Sequence, residues 1–110
     1  MLNQGSTADS PGRFPGSPDE EFWIGRPFDA RARFERTAPL EIEIGSGKAR
    51  FLVASALAHP DHDFLGIERS LSYYRLCRGR VERSGLPNAA MARADGRLFV
   101  ETALAPGSVR

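Results

Sequence analysis

From residue 40 onward, apolar and polar positions recur in patterns that predict a series of strands and helices. Leu40–Ile44 (LEIEI) alternates apolar and acidic residues, which predicts a strand that ends at Gly45. Lys48–Ala58 is rich in helix formers and apolar nearly all round, as expected of a helix packed close to a sheet. Asp63–Glu68 (DFLGIE) predicts a second strand. This stretch therefore runs strand, helix, strand.

The alternation continues through the rest of the chain. Ser70 is suited to cap a helix running to about Ser84, and Gly85 suits the position past its end. An apolar stripe follows this helix at spacings of three, three and four residues: Leu71, Tyr74, Cys77 and Val81. Ala89–Asp95 predicts a third, weaker strand, and residues 96–104 the start of a third helix. Such alternation predicts parallel strands joined by right-handed crossovers, an α/β Rossmann-like half sheet.

The first 36 residues lack this pattern and are interpreted as a separate N-terminal unit. Residues 1–20 are rich in Gly, Ser, Pro and Asp and hold too little apolar surface to offset the entropy of ordering, which predicts a disordered tail. Residues 21–36 carry a cluster that we expect to dock on the domain surface in a short turn or helix: Phe22, Trp23, Ile24, Phe28 and Phe34. The domain itself is predicted to span residues 37–110.

The composition narrows the class of protein. A chain of 110 residues that is 41% hydrophobic and 26% charged is that of one small, soluble globular domain. No apolar run approaches the roughly 18 residues that span a membrane, and the N-terminus lacks the apolar core of a secretory signal. Cys77 is the single cysteine, so no disulfide framework or cysteine metal cluster is expected. We therefore expect a cytoplasmic protein without a metal site.

Charge is distributed unevenly behind the net value of +1. Residues 41–68 carry two basic residues against five acids, whereas residues 69–110 carry eight Arg against three acids. This asymmetry suggests a cationic small ligand beside a polyanionic partner. A solvated basic helix is the simpler alternative.

The glycine loop EIGSGKAR, Glu43–Arg50, fits neither common phosphate-binding motif. A P-loop needs a first glycine where Ile42 stands, and Ser or Thr where Ala49 follows Lys48. A dinucleotide fingerprint needs a last glycine where Arg50 stands, and its diphosphate would be repelled by Glu43.

A cationic ligand suits the same loop better. S-adenosylmethionine carries a sulfonium and an ammonium group, so the carboxylate of Glu43 at the strand end favours it. Gly45 and Gly47 would let the backbone approach the ligand without a Cβ in the way. A structural alternative is that the two glycines only make a tight turn.

Two further acids follow the next two predicted strands. Glu68 ends the second strand, where a Rossmann-type site places a carboxylate that accepts hydrogen bonds from ribose hydroxyls. Asp95 ends the third strand, where it would accept from the adenine amino group, although an Asp before Gly is also typical of a helix cap. Because carboxyl ends of parallel strands meet at one edge, the three acids predict one crevice.

At this point the sequence resembles the bacterial tRNA (guanine-N7)-methyltransferases over residues 37–105. The resemblance is carried by PLEIEIGSGKARFL, HPDHDFLGIERS and SGLPNAAMARADG, with the acids 25 and 27 residues apart. The family's EIGxGxG is matched except that Ala49 replaces the last glycine, a change we expect to be tolerated with tighter packing. Its FxGIE and GLxN segments are matched as well.

The resemblance implies an enzyme, a class I S-adenosylmethionine-dependent methyltransferase that transfers a methyl group to guanine N7 in the tRNA variable loop. It implies that five residues contact the cofactor: Glu43, Gly45, Gly47, Glu68 and Asp95. The family's FPDPWxK segment has no match here, so catalytic residues are expected beyond Arg110. We therefore expect a fragment or truncated product, inactive and poorly soluble or dimeric on its own.

Other interpretations stay open at this stage. They are a class I methyltransferase with another acceptor, a non-catalytic nucleotide- or RNA-binding half-domain, and a nicotinamide-dependent oxidoreductase, which Glu43 and Arg50 disfavour. His59 and His62 lack a partner cluster and are not expected to catalyse. Candidates for tRNA phosphate contacts lie on or near the second helix and beside Asp95: Arg75, Arg78, Arg80, Arg83, Arg93 and Arg97.

Overall fold

The computed structural model describes residues 22–45 and 49–104. The elements in these ranges follow the predicted alternation, with a short helix before it: α1 (Ala30–Phe34), β1 (Leu40–Ile44), α2 (Arg50–Ala58), β2 (Asp63–Glu68), α3 (Leu71–Ser84), β3 (Ala89–Arg93) and α4 (Gly96–Thr102). β1 and β2 have the predicted bounds, whereas α2 begins two residues later than predicted and β3 ends two residues earlier. Within these ranges, no helix is long and apolar enough to cross a membrane.

The three strands form one parallel sheet in the order β1-β2-β3. Ile44 lies opposite Ile67, and Glu68 lies opposite Arg93. The hydrogen bonding runs slightly past the strands, because the Gly45 amide donates to the Ile67 carbonyl at 2.9 Å. The carboxyl ends of all three strands therefore lie along one edge, and the predicted Rossmann-like α/β arrangement is confirmed.

Helices cover both faces of the sheet. One face packs against α2 and α3 through Leu52, Ala56, Tyr74, Cys77, Val81, Phe64, Ala89 and Met91. The other packs against the N-terminal segment, α1 and α4 through Trp23, Phe28, Phe34, Leu40, Leu65, Ile67 and Phe99. The predicted stripe of α3 faces the sheet, with Leu71 half-buried at its start. The described chain is thus a three-layer α/β/α unit.

Local signals in the sequence explain how α3 and α2 are placed. Ser70 caps the start of α3 and Gly85, with φ of +69°, ends it, as predicted. Gly66 lies in the middle of β2, where an added Cβ would come within 2.6 Å of Met91 Sδ and 3.1 Å of Leu52 Cδ2. The missing side chain at Gly66 therefore lets α2 lie close against the sheet.

The aromatic segment before α1 packs into the core of the second face. The Trp23 amide donates to the Arg93 carbonyl at 2.7 Å, so the segment runs along the outer edge of β3. The Trp23, Phe28 and Phe99 rings lie 5.7 to 6.1 Å apart in edge and tilted geometries. The division into residues 1–36 and 37–110 stays a prediction, and the proposed disordered tail, residues 1–20, lies outside the described residues.

A buried polar cluster holds the amino-terminal edge of the sheet. Asp63 is 1% exposed, and its Oδ1 accepts from Arg36 Nε at 2.9 Å and from Arg36 Nη2 at 2.7 Å. The buried side-chain amide of Asn88 donates to the carbonyls of Ala56, His59 and His62. These bonds fix the turn between α2 and β2 by satisfying its backbone carbonyls.

Candidate functional site

The chain leaves β1 through a turn that only a glycine adopts easily. Gly45 has a φ of +65°, in the left-handed region that L side chains rarely enter, and an added Cβ would meet nothing within 4 Å. The conformation of the backbone therefore calls for glycine here, and the space beside it is open. Gly47, with Ser46 and Lys48, lies outside the described residues.

Ala49 closes this loop and also has a left-handed backbone, with a φ of +63°. It is fully buried at the start of α2, at the position where the resembled family has its last glycine. A left-handed conformation costs an L residue about 1–2 kcal/mol because its Cβ crowds the carbonyl oxygen. The replacement therefore carries a backbone cost in addition to the packing effect predicted from its size.

Among the three predicted site acids, Glu43 is the one that has a buried oxygen without a donor in the described structure. It lies in register with Gly66 on the neighbouring strand, and its Oε1 is buried without a hydrogen-bond partner among the described residues. Burial raises the pKa of its carboxyl group above the ordinary value. A buried acceptor without a donor is costly, so this oxygen is a candidate to accept from a donor or cation outside the described residues.

Glu68 is the last residue of β2 and lies on the same edge. Its Oε2 accepts from the backbone amides of Arg69 and Ser70, both at 2.9 Å. These two bonds hold the carboxylate in place at the start of α3. Glu68 is thus a positioned and half-buried acceptor.

Asp95 lies two residues past β3 and caps α4. Its Oδ1 accepts from the Leu98 amide at 3.0 Å, and its Oδ2 lies 3.8 Å from Arg69 Nη1. The helix cap considered as the alternative role is present, and it leaves Oδ2 for a second role. Gly96 follows at once, where an added Cβ would collide with Ile44 Cγ2. The absence of a side chain at Gly96 therefore lets α4 start close to the end of β1.

The topology brings Glu43, Gly45, Glu68 and Asp95 to one edge of the sheet. Arg69 belongs to the same edge and was not among the sequence candidates; the signal for it is its place directly after Glu68 in the IERS segment. Arg93 and Arg97 also flank this edge, where Arg97 pairs with Glu101 at 3.1 Å. An acidic edge beside a glycine turn can accept hydrogen bonds and balance a cation.

The two histidines lie at the opposite edge. His62 Nδ1 is 2.6 Å from Glu41 Oε2, and both histidines belong to the turn that Asn88 holds before β2. They are therefore separated from the glycine turn by the length of the strands. Among residues 22–45 and 49–104, no group of three or more His, Cys, Asp or Glu side chains is placed to hold a metal ion.

A family model described as "Putative methyltransferase" matches residues 37–110. The chain belongs to this methyltransferase family. Proteins named tRNA (guanine-N(7)-)-methyltransferase match it as well, from Enterococcus faecalis (37% identical over 81 residues, 74% of this chain) and from Leifsonia xyli (40% identical over 97 residues, 81% of this chain). The predicted resemblance to this family is confirmed, and it implies that the methyltransferase site uses a methyl donor.

The methyltransferase chain spans about a third of the curated relatives it matches, 36% of the Enterococcus protein and 31% of a further relative from Cutibacterium acnes, to which it is 36% identical. Among solved structures it is similar to the antibiotic-resistance methyltransferase Kmr. That similarity has a TM-score of 0.49 and 29% identity, and covers 68% of this chain and 44% of the other.

Proposed function

We propose that this chain forms the cofactor-binding part of an S-adenosylmethionine-dependent tRNA (guanine-N7)-methyltransferase. The observation that carries the proposal is the buried Oε1 of Glu43, which has no hydrogen-bond partner within residues 22–45 and 49–104 and lies beside the Gly45 turn. Membership of a methyltransferase family and similarity to tRNA (guanine-N7)-methyltransferases support the choice of reaction and substrate.

The residues at the carboxyl edge fit the chemical groups of S-adenosylmethionine. Glu43 would accept from the ammonium group and offset its charge together with that of the sulfonium. Glu68 would accept from the ribose hydroxyls, and Asp95 Oδ2 from the adenine amino group. Gly45 and Gly47 would keep the loop free of Cβ atoms where the ligand approaches. A nicotinamide dinucleotide fits less well, since its diphosphate would meet the Glu43 carboxylate.

The raised pKa of Glu43 gives this site a defined pH dependence. In the empty protein, desolvation disfavours the charged form, so ionisation lowers the stability of the fold as pH rises through the raised pKa. A bound cation favours the charged form and lowers that pKa. Cofactor affinity should therefore increase with pH across the same interval, and level off above it.

The proposed methyl transfer requires little proton transfer by the protein. S-adenosylmethionine supplies an electrophilic methyl group on a sulfonium. The guanine N7 already has an in-plane lone pair, so no strong base is required to deprotonate it. The residues of this chain would contribute by holding the cofactor through its charged and hydroxyl groups, which aligns the methyl group, and by excluding water.

Glu43→Gln tests this proposal by isothermal titration of S-adenosylmethionine. We expect about 10- to 100-fold weaker binding, since a hydrogen bond to a charged group is worth about 1.5–3 kcal/mol, and we expect the pH dependence to disappear. The free energy of unfolding at pH 7 should not fall, because the substitution removes a poorly solvated charge.

Glu41→Gln is the matched control for this titration. Glu41 lies two residues earlier on β1, but it contacts His62 at the other edge of the sheet. Its substitution should leave cofactor affinity unchanged. Equal affinity of the wild-type protein and Glu43→Gln, or binding of NAD instead of S-adenosylmethionine, would reject the proposal.

A further inference from the structure

One flank of α3 carries a regular set of basic and apolar residues. The members within α3 recur at spacings of three, four and three, which places them on one side of the helix, and Arg69 comes just before the cap residue Ser70. We call this set the α3 stripe: Arg69, Tyr73, Leu76, Arg80 and Arg83. The stripe is distinct from the buried side of α3, which is formed by Tyr74, Cys77 and Val81.

The apolar members of the α3 stripe face solvent. Tyr73 is 54% exposed and Leu76 is 39% exposed, although both are large hydrophobic side chains. Arg69 is exposed, and Arg80 is half-buried further along the helix. The exposed Tyr73 ring, which lies between arginines, does not pack in the hydrophobic core.

The positive charge of the stripe is not balanced by acids on its own helix. Glu82 is the acidic residue of α3, and it lies 3.8 Å from Arg78, which is outside the stripe. Arg69 and Arg83 are exposed, whereas Arg80 is half-buried and its Nε is buried. The exposed guanidinium groups of the stripe therefore offer donors to an anionic partner.

The arginines of α3, which the sequence suggested as one group of phosphate contacts, lie on different sides of the helix. Arg78 lies over the Tyr74 ring at 5.8 Å and near Glu82, so it contributes to the surface of its own helix. Arg80 and Arg83 lie on the flank that also carries Tyr73 and Leu76.

We propose that the α3 stripe is a docking surface for the RNA substrate, an inference that rests on the proposed function for the identity of that RNA. Arginine donates in a planar fork that matches phosphate oxygens, and an exposed tyrosine ring can stack on an unpaired base. Charge complementarity with a polyanion selects RNA over a second copy of this chain, which would bring the same arginines together.

The stripe is also continuous with the candidate cofactor site. Arg69 lies 3.8 Å from Asp95 at the carboxyl edge, and α3 extends from there by about 20 Å to Arg83 at about 1.5 Å per residue. An RNA strand lying along α3 would thus have one end at the edge where the methyl donor is proposed to bind.

Fluorescence anisotropy with an unmodified tRNA transcript, measured over a range of salt concentrations, tests the stripe. The double variant Arg80→Gln/Arg83→Gln should bind about 10-fold or more weakly at moderate salt and lower the salt slope by about two, one for each phosphate contact. Arg31→Gln, which removes one exposed arginine from α1 in the opposite layer, is the control for loss of surface charge elsewhere and should change neither quantity.

Tyr73 provides a second, charge-neutral test. Tyr73→Ala should weaken tRNA binding by about five-fold or more, without changing the salt slope, because base stacking is lost. Tyr73→Phe keeps the ring and should restore the affinity. The side chain is exposed, so neither substitution should lower the unfolding temperature by more than a few degrees.

The outcomes separate the stripe from the cofactor site. S-adenosylmethionine titrated into the same samples should bind the stripe variants as it binds the wild-type protein. If the wild-type protein does not bind S-adenosylmethionine, the proposed function is rejected. The comparison of tRNA binding between the variants would still test the stripe proposal. The stripe proposal fails if no tRNA binds, or if Arg80→Gln/Arg83→Gln resembles Arg31→Gln. It also fails if the variants alter only binding to anionic vesicles or the sedimentation of the protein alone.

Discussion

Single residues at the carboxyl edge differ in ways that their types alone do not reveal. The sequence places Glu43, Glu68 and Asp95 at the ends of three successive strands, but it does not show which of their oxygens the fold already satisfies. In the structure, Glu68 already accepts from two backbone amides and Asp95 caps α4, whereas Glu43 has a buried oxygen without a donor among the described residues. The first two are therefore held in place by the fold, and the third is the group for which we propose the largest gain from a ligand.

Ala49 yields a prediction about stability at the same scale. Glycine there would relieve about 1–2 kcal/mol of left-handed strain. It would also lose a buried methyl, about 0.8 kcal/mol, and add unfolded-chain entropy of about 0.4–1 kcal/mol. We therefore expect Ala49→Gly to change the free energy of unfolding by less than about 1 kcal/mol in urea titrations.

Ala49→Val is the informative contrast in the same urea titrations. A β-branched side chain is poorly tolerated at positive φ, and this site is fully buried, so we expect a loss of more than about 2 kcal/mol. Substituting the half-buried Val53 of α2 by Ala removes a β-branched residue at an ordinary helical position and controls for side-chain size. If the Ala49→Val variant were as stable as the wild-type protein, the left-handed conformation would not be present.

At the scale of elements, the sequence predicts those bounds of strands and helices that depend on local patterns. The bounds of β1 and β2 and both ends of α3 follow from alternation, Ser70 and Gly85. The position of the aromatic segment does not follow from local patterns. Trp23 is held by a backbone hydrogen bond to Arg93 and by contact with the Phe99 ring of α4, both far along the chain. The sequence also could not predict that Glu43 Oε1 is buried without a donor among the described residues, because burial depends on how α2 and the sheet pack.

The aromatic segment therefore yields a prediction about its contribution to the fold. Trp23→Ala should lower the free energy of unfolding by about 3–5 kcal/mol, because it removes a buried ring between Phe28 and Phe99. Trp23→Phe should cost less, mainly through loss of the 2.8 Å bond from Nε1 to the Arg26 carbonyl. Thermal melts of the two variants measure both losses.

Ile24→Ala is the control for Trp23 in the same thermal melts. Ile24 is the next residue but is 64% exposed, so its truncation should change stability by less than about 0.5 kcal/mol. If Trp23→Ala melts like Ile24→Ala, the segment does not form part of the cooperative core.

At the scale of the whole molecule, the two edges of the sheet have different tasks. The amino-terminal edge is closed by the Arg36–Asp63 pair and by Asn88, which stabilise the turn, although Asp63 Oδ2 has no hydrogen-bond partner among the described residues. At the carboxyl edge, Ala49 has a left-handed backbone, and Glu43 Oε1 has no partner among the described residues. The amino-terminal edge therefore holds its own turn, whereas the carboxyl edge is the one where the ligand is proposed to bind.

The edge of the sheet formed by β1 is uncovered in the described part of the chain. In the part of the chain that the structure describes, β1 pairs with β2 alone, so its other edge is open. α2, which packs on β2 and β3, exposes Phe51 by 70% and Leu57 by 68%. Open strand edges and apolar patches promote pairing with other chains.

We therefore expect the 110-residue polypeptide by itself to self-associate through β1 and the outer face of α2. Phe51→Lys/Leu57→Lys should shift it towards the monomer in sedimentation velocity runs at equal concentration, because charge replaces exposed apolar surface. Tyr73→Lys/Leu76→Lys, which places the same two charges on the exposed flank of α3, should leave the association unchanged. A wild-type polypeptide that is already a monodisperse monomer with a sharp cooperative melt would contradict this expectation, because the open edge and the apolar face would then have no partner to bind.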